Sequence, residues 1–93
     1  MNHVNLIGKI IKPLDPAPSD PKAKKEGTCF LLQTTTIELN DQGRSVKRYL
    51  NHRIVLKLQA YQKFARLIQI NQDVAIEGTL YKGKVIVTDL IIL

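Results

Sequence analysis

Polar and apolar residues alternate along most of this chain, and the breaks in the alternation mark its turns. Val4, Leu6 and Ile10 fall on one side of the segment Val4–Ile10, with Gly8 in the same register. A period of two predicts a strand with one buried face, and a glycine on that face marks a bend or a close backbone approach. A second strand is predicted from about Thr28 to Leu39, rich in Thr, Leu, Ile and Phe. Asn40-Asp41-Gln42-Gly43 reads as a turn, and a third strand follows from Ser45 to about Leu58. The period then changes. Ala60, Phe64, Leu67 and Ile68 follow helical spacing across Ala60 to Ile70, with Lys63 and Arg66 outward, and Asn71-Gln72 ends the helix. Val74, Ile76, Gly78 and Leu80 restore the alternation, Lys82-Gly83 makes a tight turn, and Lys84 to Leu93 is a fifth strand dense in β-branched residues.

All four prolines lie between Pro13 and Pro21, followed by Lys22, Lys24, Lys25 and Gly27. Proline resists both helix and sheet, so residues 13–27 are expected to form a flexible basic loop, read as an electrostatic flap over a ligand groove. The remaining order is three strands, one helix, two strands. This is the order of the OB-fold, an all-β, five-stranded Greek-key barrel with one helix between strands 3 and 4. With 93 residues there is room for one core only, so residues 1–93 are expected to be a single OB-fold domain.

Composition narrows the function. Fourteen Lys and Arg against eight Asp and Glu give a net charge of +6 and a pI near 9.7, which suits a polyanionic partner. The lone Cys29, with His3 and His52, is too little for a zinc site of ordinary spacing, so neither metal nor cofactor is expected. Polar residues at Asn2, His3 and Asn5 break any signal-peptide run, and no apolar stretch approaches a membrane span, so the expected location is cytoplasmic, associated with the bacterial nucleoid. No paired carboxylates, nucleophile–base pair or phosphate-binding loop is visible, and an enzyme is not expected.

The third strand carries the functional signal. Its even positions, Arg48, Leu50, His52, Ile54, Leu56 and Leu58, are read as a core-facing stripe. Its odd positions, Lys47, Tyr49, Asn51, Arg53, Val55 and Lys57, combine three cations, an aromatic and an amide. Cations at alternating positions lie roughly 7 Å apart, close to the phosphate spacing of an extended strand. Tyr49 suits stacking on a base, and Asn51 suits a bond to a base edge. An ordinary solvent face would mix charge signs, yet no acidic residue lies between Asp41 and Asp73. Lys9, Lys12, Lys82 and Lys84 extend the cationic path, and Tyr81 is a second stacking candidate; Tyr61, beside the helix core, is assigned to packing. Ile7 and Ile11, opposite the core stripe of the first strand, are candidates for self-association or partner docking.

These residues resemble the bacterial single-stranded DNA-binding protein family. Met1-Asn2-His3-Val4-Asn5-Leu6-Ile7-Gly8 is similar to its opening strand, and Phe30-Leu31-Leu32-Gln33-Thr34 falls where its second strand does. Asn51-His52-Arg53-Ile54-Val55 is similar to its Trp-His-Arg-Val-Val segment, and Val74-Ala75-Ile76-Glu77-Gly78-Thr79-Leu80 to its Val-x-Val-Glu-Gly-x-Leu strand. The departures are specific. Asn51 stands in place of the family's stacking Trp, Lys57 in place of a stacking Phe, and there is no tryptophan. In its short, stacking-poor form the chain also resembles primosomal replication protein N. The resemblance implies a sequence-nonspecific single-stranded DNA-binding protein of DNA replication, repair or recombination, acting as a homodimer or homotetramer with His52 at an interface. Single-stranded RNA stays open as a partner, since nothing here reads a 2′-hydroxyl. The alternative is a protein-interaction module of a replication complex or primosome. The sequence closes at Leu93 with no acidic tail, so partners are expected to dock on the barrel itself.

Overall fold

A computed structural model describes residues 2–14 and 27–93. The strands are β1 (His3–Lys12), β2 (Thr28–Leu39), β3 (Ser45–Leu56), β4 (Asp73–Tyr81) and β5 (Lys84–Ile92), with one α-helix, α1 (Leu58–Phe64), between β3 and β4. They close into a barrel in the order β1-β2-β3-β5-β4. All pairings are antiparallel except β3 with β5, which is parallel and confined to Ile54–Val85 and Val55–Ile86. This is the OB-fold architecture expected from the sequence. Most of the basic segment 13–27, with Lys22, Lys24 and Lys25, lies outside the described residues.

The barrel fills by alternation. Ile10, Phe30, Leu32, Ile54, Leu56 and Val74 are each at most 1% exposed. Burying a side chain such as Phe30 contributes about 2–3 kcal/mol relative to leaving it in water. Two glycines let the sheet bend where strands crowd. A Cβ on Gly8 would sit 2.4 Å from the Gln33 carbonyl oxygen, and one on Gly78 2.4 Å from that of Ile86. No side chain fits at either position.

Both hairpin turns follow from their residues. In the β2–β3 turn the Asn40 side-chain oxygen accepts from the backbone N–H of Gln42 and of Arg44, both at 2.9 Å, and Gly43 takes φ 75°. In the β4–β5 turn Lys82 and Gly83 adopt φ 49° and 76°, the two left-handed residues of a type I′ hairpin.

Three expectations need correction. First, the even face of β3 is a core stripe only from His52 onward, while Arg48 and Leu50 are exposed. The β2–β3 ladder continues from Thr28–Leu56 out to Leu39–Ser45, but β1 joins β2 only as far out as Gln33. Beyond that row the hairpin is a two-stranded arm with almost every residue on both faces exposed, including Ile37 and Leu39. Arg48 pairs with Glu38 across it. Second, β3 ends at Leu56. Lys57 takes an extended conformation as the N-cap and α1 begins at Leu58, which is exposed and not part of the core. The helix lasts seven residues and tightens into a 3-10 turn at Ala65–Leu67. So short a helix has little stability alone; Phe64 and Ile68, buried in the barrel core, anchor it, with Ala60 and Tyr61 packed alongside. Third, Val55 is buried despite its outward parity, because the chain entering β2 at Gly27 lies against it.

Asn71, at φ 68°, then turns the chain, donating its N–H to the Ile10 carbonyl at 2.7 Å. Among the described residues no helix is long and apolar enough to cross a membrane.

Candidate nucleic-acid interface

The register of the ladders shows which side chains share the outer face of the barrel. Three rows run across the strands. Lys9 lies opposite Gln33, which lies opposite Asn51; Lys12 opposite Leu31, then Arg53; and Cys29 opposite Val55, then Ile86. Lys12 joins this face through a bulge. Ile10 pairs with Leu32 but Lys12 pairs with Leu31, so Ile11 is the extra residue. In a regular strand Lys12 would share the inward side of Ile10; the bulge reverses that parity. Ile11 is accordingly half-buried rather than a fully exposed neighbour of Ile7.

Two shallow depressions lie on this face and share Cys29 as a common wall. One, of about 250 Å³, is lined by Lys12, Cys29, Phe30, Leu31 and Arg53. The other, of about 400 Å³, is lined by Gly27, Cys29, Val55, Lys57, Tyr81, Lys82, Lys84 and Ile86. The type I′ turn carries Lys82 back over its neighbour, with Nζ 5.3 Å from the centre of the Tyr81 ring. Lys84 lies directly across the β4–β5 ladder from Tyr81. The cations share these depressions with apolar side chains, Leu31 in one and Val55 and Ile86 in the other.

Of the ten residues singled out from the sequence, Lys12, Arg53, Lys57, Tyr81, Lys82 and Lys84 line these two depressions. Lys9 and Asn51 occupy the adjoining row. Lys47 and Tyr49 lie farther out on the arm, opposite Ile37 and Thr35, with Tyr49 57% exposed. Sequence reasoning missed Cys29 and Gln33. Gln33 was within reach, since counting back from the Asn40–Gly43 turn pairs it with Asn51.

Among the described carboxylates, Asp73 borders this face, opposite Lys9. Glu38 pairs with Arg48 on the opposite face of the arm, Glu77 with His3 at 3.2 Å, and Asp73 with Lys9 at 3.8 Å. The Lys9 pair is half exposed and worth at most about 1 kcal/mol, so it does not withdraw Lys9 from a competing phosphate. None of the described carboxylates lines either depression. His52 is half-buried and shares a 2.8 Å hydrogen bond with Thr34 Oγ1. Among the described residues no three His, Cys, Asp or Glu side chains cluster as metal ligands.

A closed five-stranded barrel with its helix between β3 and β4, and a cation-rimmed outer face, defines the chain as an OB-fold protein. The solved structures that it matches carry the comparison further. Neither a protein-family model nor a curated protein sequence matches the chain. A Plasmodium falciparum SSB in complex with ssDNA superposes with a TM-score of 0.78 at 18% identity, covering all of this chain and 95% of that one. A deletion mutant of the single-stranded DNA binding protein from Thermus aquaticus gives 0.75 at 20% identity, with all of this chain matching half of that one. The small single-stranded DNA-binding protein from Streptomyces coelicolor gives 0.65 at 8% identity, covering 98% of this chain and 91% of that one. The fold is therefore the OB-fold of the single-stranded DNA-binding proteins.

Proposed function

We propose that this chain binds single-stranded DNA without strong sequence preference, in replication, repair or recombination. One observation carries the reading. Five cations and a tyrosine from four strands and their connections converge on adjoining depressions that no described carboxylate lines. Lys12, Arg53, Lys57, Lys82 and Lys84 follow the phosphates, while Tyr81 stacks on a base over the apolar floor of Val55 and Ile86. Lys47 and Tyr49 continue the path onto the arm. The solved relatives named for single-stranded DNA binding support the same use of the fold. Fluorescence anisotropy with labelled oligo-dT at low salt, against a duplex of equal length, tests it. Saturable binding that favours the single strand is expected, and the Arg53→Glu/Lys57→Glu double variant abolishes it. Absence of binding by the unaltered protein refutes the proposal.

We further infer that copies associate through the opposite side of the barrel. Ile7, Ala75 and Ile91 form one outward row across β1, β4 and β5, with Ile7 69% and Ile91 58% exposed, beside a row of Asn5, Glu77 and Asp89. The neighbouring edge of β1 pairs with β2 only between Lys9 and Lys12, which leaves its first half open to a strand from a second copy. A second reading, a primosome-type interaction module, draws on the replacement of stacking positions by Asn51 and Lys57. It requires a protein partner to bind the Arg53→Glu/Lys57→Glu variant undiminished.

A further inference from the structure

The geometry points to a base-edge contact made by the Gln33 and Asn51 side chains, through which the protein distinguishes unpaired bases from paired ones. This inference rests on the single-strand reading above and names how that face meets the bases. Gln33 and Asn51 are directly opposed on β2 and β3, and Gln33 Nε2 donates to Asn51 Oδ1 at 3.4 Å. Both point outward, Asn51 exposed and Gln33 half-buried, in the row between the Lys12–Arg53 depression and the arm. Lys9 stands at the end of the same row.

One amide orients the other, and the pair has capacity left over. A carboxamide carries two N–H donors and an oxygen with two acceptor sites. The bond between them uses one donor of Gln33 and one acceptor site of Asn51. The Asn51 Nδ2 donors and the Gln33 Oε1 acceptor remain for a ligand, on a face whose other polar groups are mostly cations. Cations donate to phosphates and to base acceptors, but they hold no acceptor for a base N–H.

The Watson–Crick edge of each of the four bases places a donor beside an acceptor. A donor–acceptor pair on the protein therefore meets any of them, which fits binding without strong sequence preference. In a duplex the same edges are occupied by the opposite strand. The contact is available only to unpaired bases, so it adds strand selectivity that phosphate contacts lack. It also supplies base contact from a row that has no aromatic ring of its own, between Tyr49 on the arm and the Lys12–Arg53 depression.

N3-methylthymidine tests this, because the methyl group removes the N3–H donor and blocks the edge while leaving the ring face and the phosphates. The full chain is titrated with oligo-dT and with the same oligomer built from N3-methylthymidine, at one salt concentration. The unaltered protein is expected to favour oligo-dT by roughly 5- to 10-fold, the low end of what a bidentate amide–base contact supplies. The Gln33→Ala/Asn51→Ala variant binds both oligomers alike, with the salt dependence of the unaltered protein. Because both side chains point outward, its thermal unfolding stays close to that of the parent. Equal affinity of the unaltered protein for the two oligomers overturns the inference and leaves single-strand binding standing; so does a preference that survives in the double variant. Failure of the unaltered protein to bind either oligomer overturns the single-strand reading itself.

Discussion

Replacing Arg53 and Lys57 by alanine should change how affinity depends on salt, not only its value. Five cations line the two depressions: Lys12, Arg53, Lys57, Lys82 and Lys84. Each phosphate neutralised on a single strand releases condensed counterions and contributes about −0.7 to the slope of log K against log salt. Five contacts give a slope of about −3.5, which weakens binding about 100-fold between about 50 and 200 mM salt. With Arg53 and Lys57 removed, three contacts remain. The slope falls to about −2 and the same change in salt costs about 20-fold. Arg66→Ala, which removes a cation from the 3-10 turn away from both depressions, leaves the slope as it was. The assay is anisotropy of a labelled oligo-dT across a potassium chloride series, with circular dichroism to show that the variants fold. A slope near zero in the unaltered protein refutes the electrostatic argument. So does a double variant with an unchanged slope, or an Arg66→Ala slope that falls as far as that of Arg53→Ala/Lys57→Ala.

Three further outcomes are expected. Tyr81→Ala loses roughly 5-fold or more in oligo-dT affinity at fixed salt, from a stacked base worth about 1–3 kcal/mol; Tyr81→Phe keeps the affinity, and neither changes the salt slope. Gly78→Ala, whose Cβ meets the Ile86 carbonyl oxygen at 2.4 Å, destabilises the fold by about 2–3 kcal/mol and lowers the melting temperature by about 10–20 °C; Gly43→Ala, with nothing within 4 Å but φ +75°, costs about 1 kcal/mol, as differential scanning calorimetry measures. Ile7→Lys/Ile91→Lys reduces the native mass to that of one chain while keeping oligo-dT binding by the isolated barrel, and a mass unchanged from that of the parent association refutes the β1–β4–β5 interface.

The element order was legible because alternation and helical spacing are local signals, and each turn carries its own chemistry. Asn40 and Gly43 shape one hairpin, and Lys82-Gly83 the other. What was not legible depends on partners distant in sequence. Nothing near Leu50 shows that β1 has stopped pairing by that row, so an alternating pattern looked like core where the arm is bare on both faces. Val55 has outward parity, and only the return of the chain at Gly27 buries it. The position of Lys12 turned on a single bulged residue, Ile11, which no period-two count contains. The grouping of cations was nevertheless largely readable, because Arg53 lies on β3 with Lys57 just beyond its end, and Lys82 and Lys84 flank Gly83 at one turn. Their convergence was not, since Lys12 reaches the row of Arg53 through the β1 bulge, and Lys82 and Lys84 approach Lys57 only where β3 pairs with β5.

The two faces of the barrel divide the work by charge. The described carboxylates Asp73, Glu77 and Asp89 lie on β4 and β5, beside the apolar row of Ile7, Ala75 and Ile91. The cations Lys12, Arg53, Lys57, Lys82 and Lys84 turn toward the other side, around Cys29. On the proposed function, the acidic surface repels the nucleic acid that the cationic face would attract, and a strand seated on the cations would leave the apolar row clear for a second copy. Joining two such barrels makes the second contact with one strand intramolecular, and its effective concentration strengthens binding with no new contact at either groove. A barrel poor in aromatic rings, with each contact weak and sensitive to salt, gains most from that arrangement. On the proposed association, affinity at physiological ionic strength depends on the β1–β4–β5 contact as much as on the residues proposed to touch the strand.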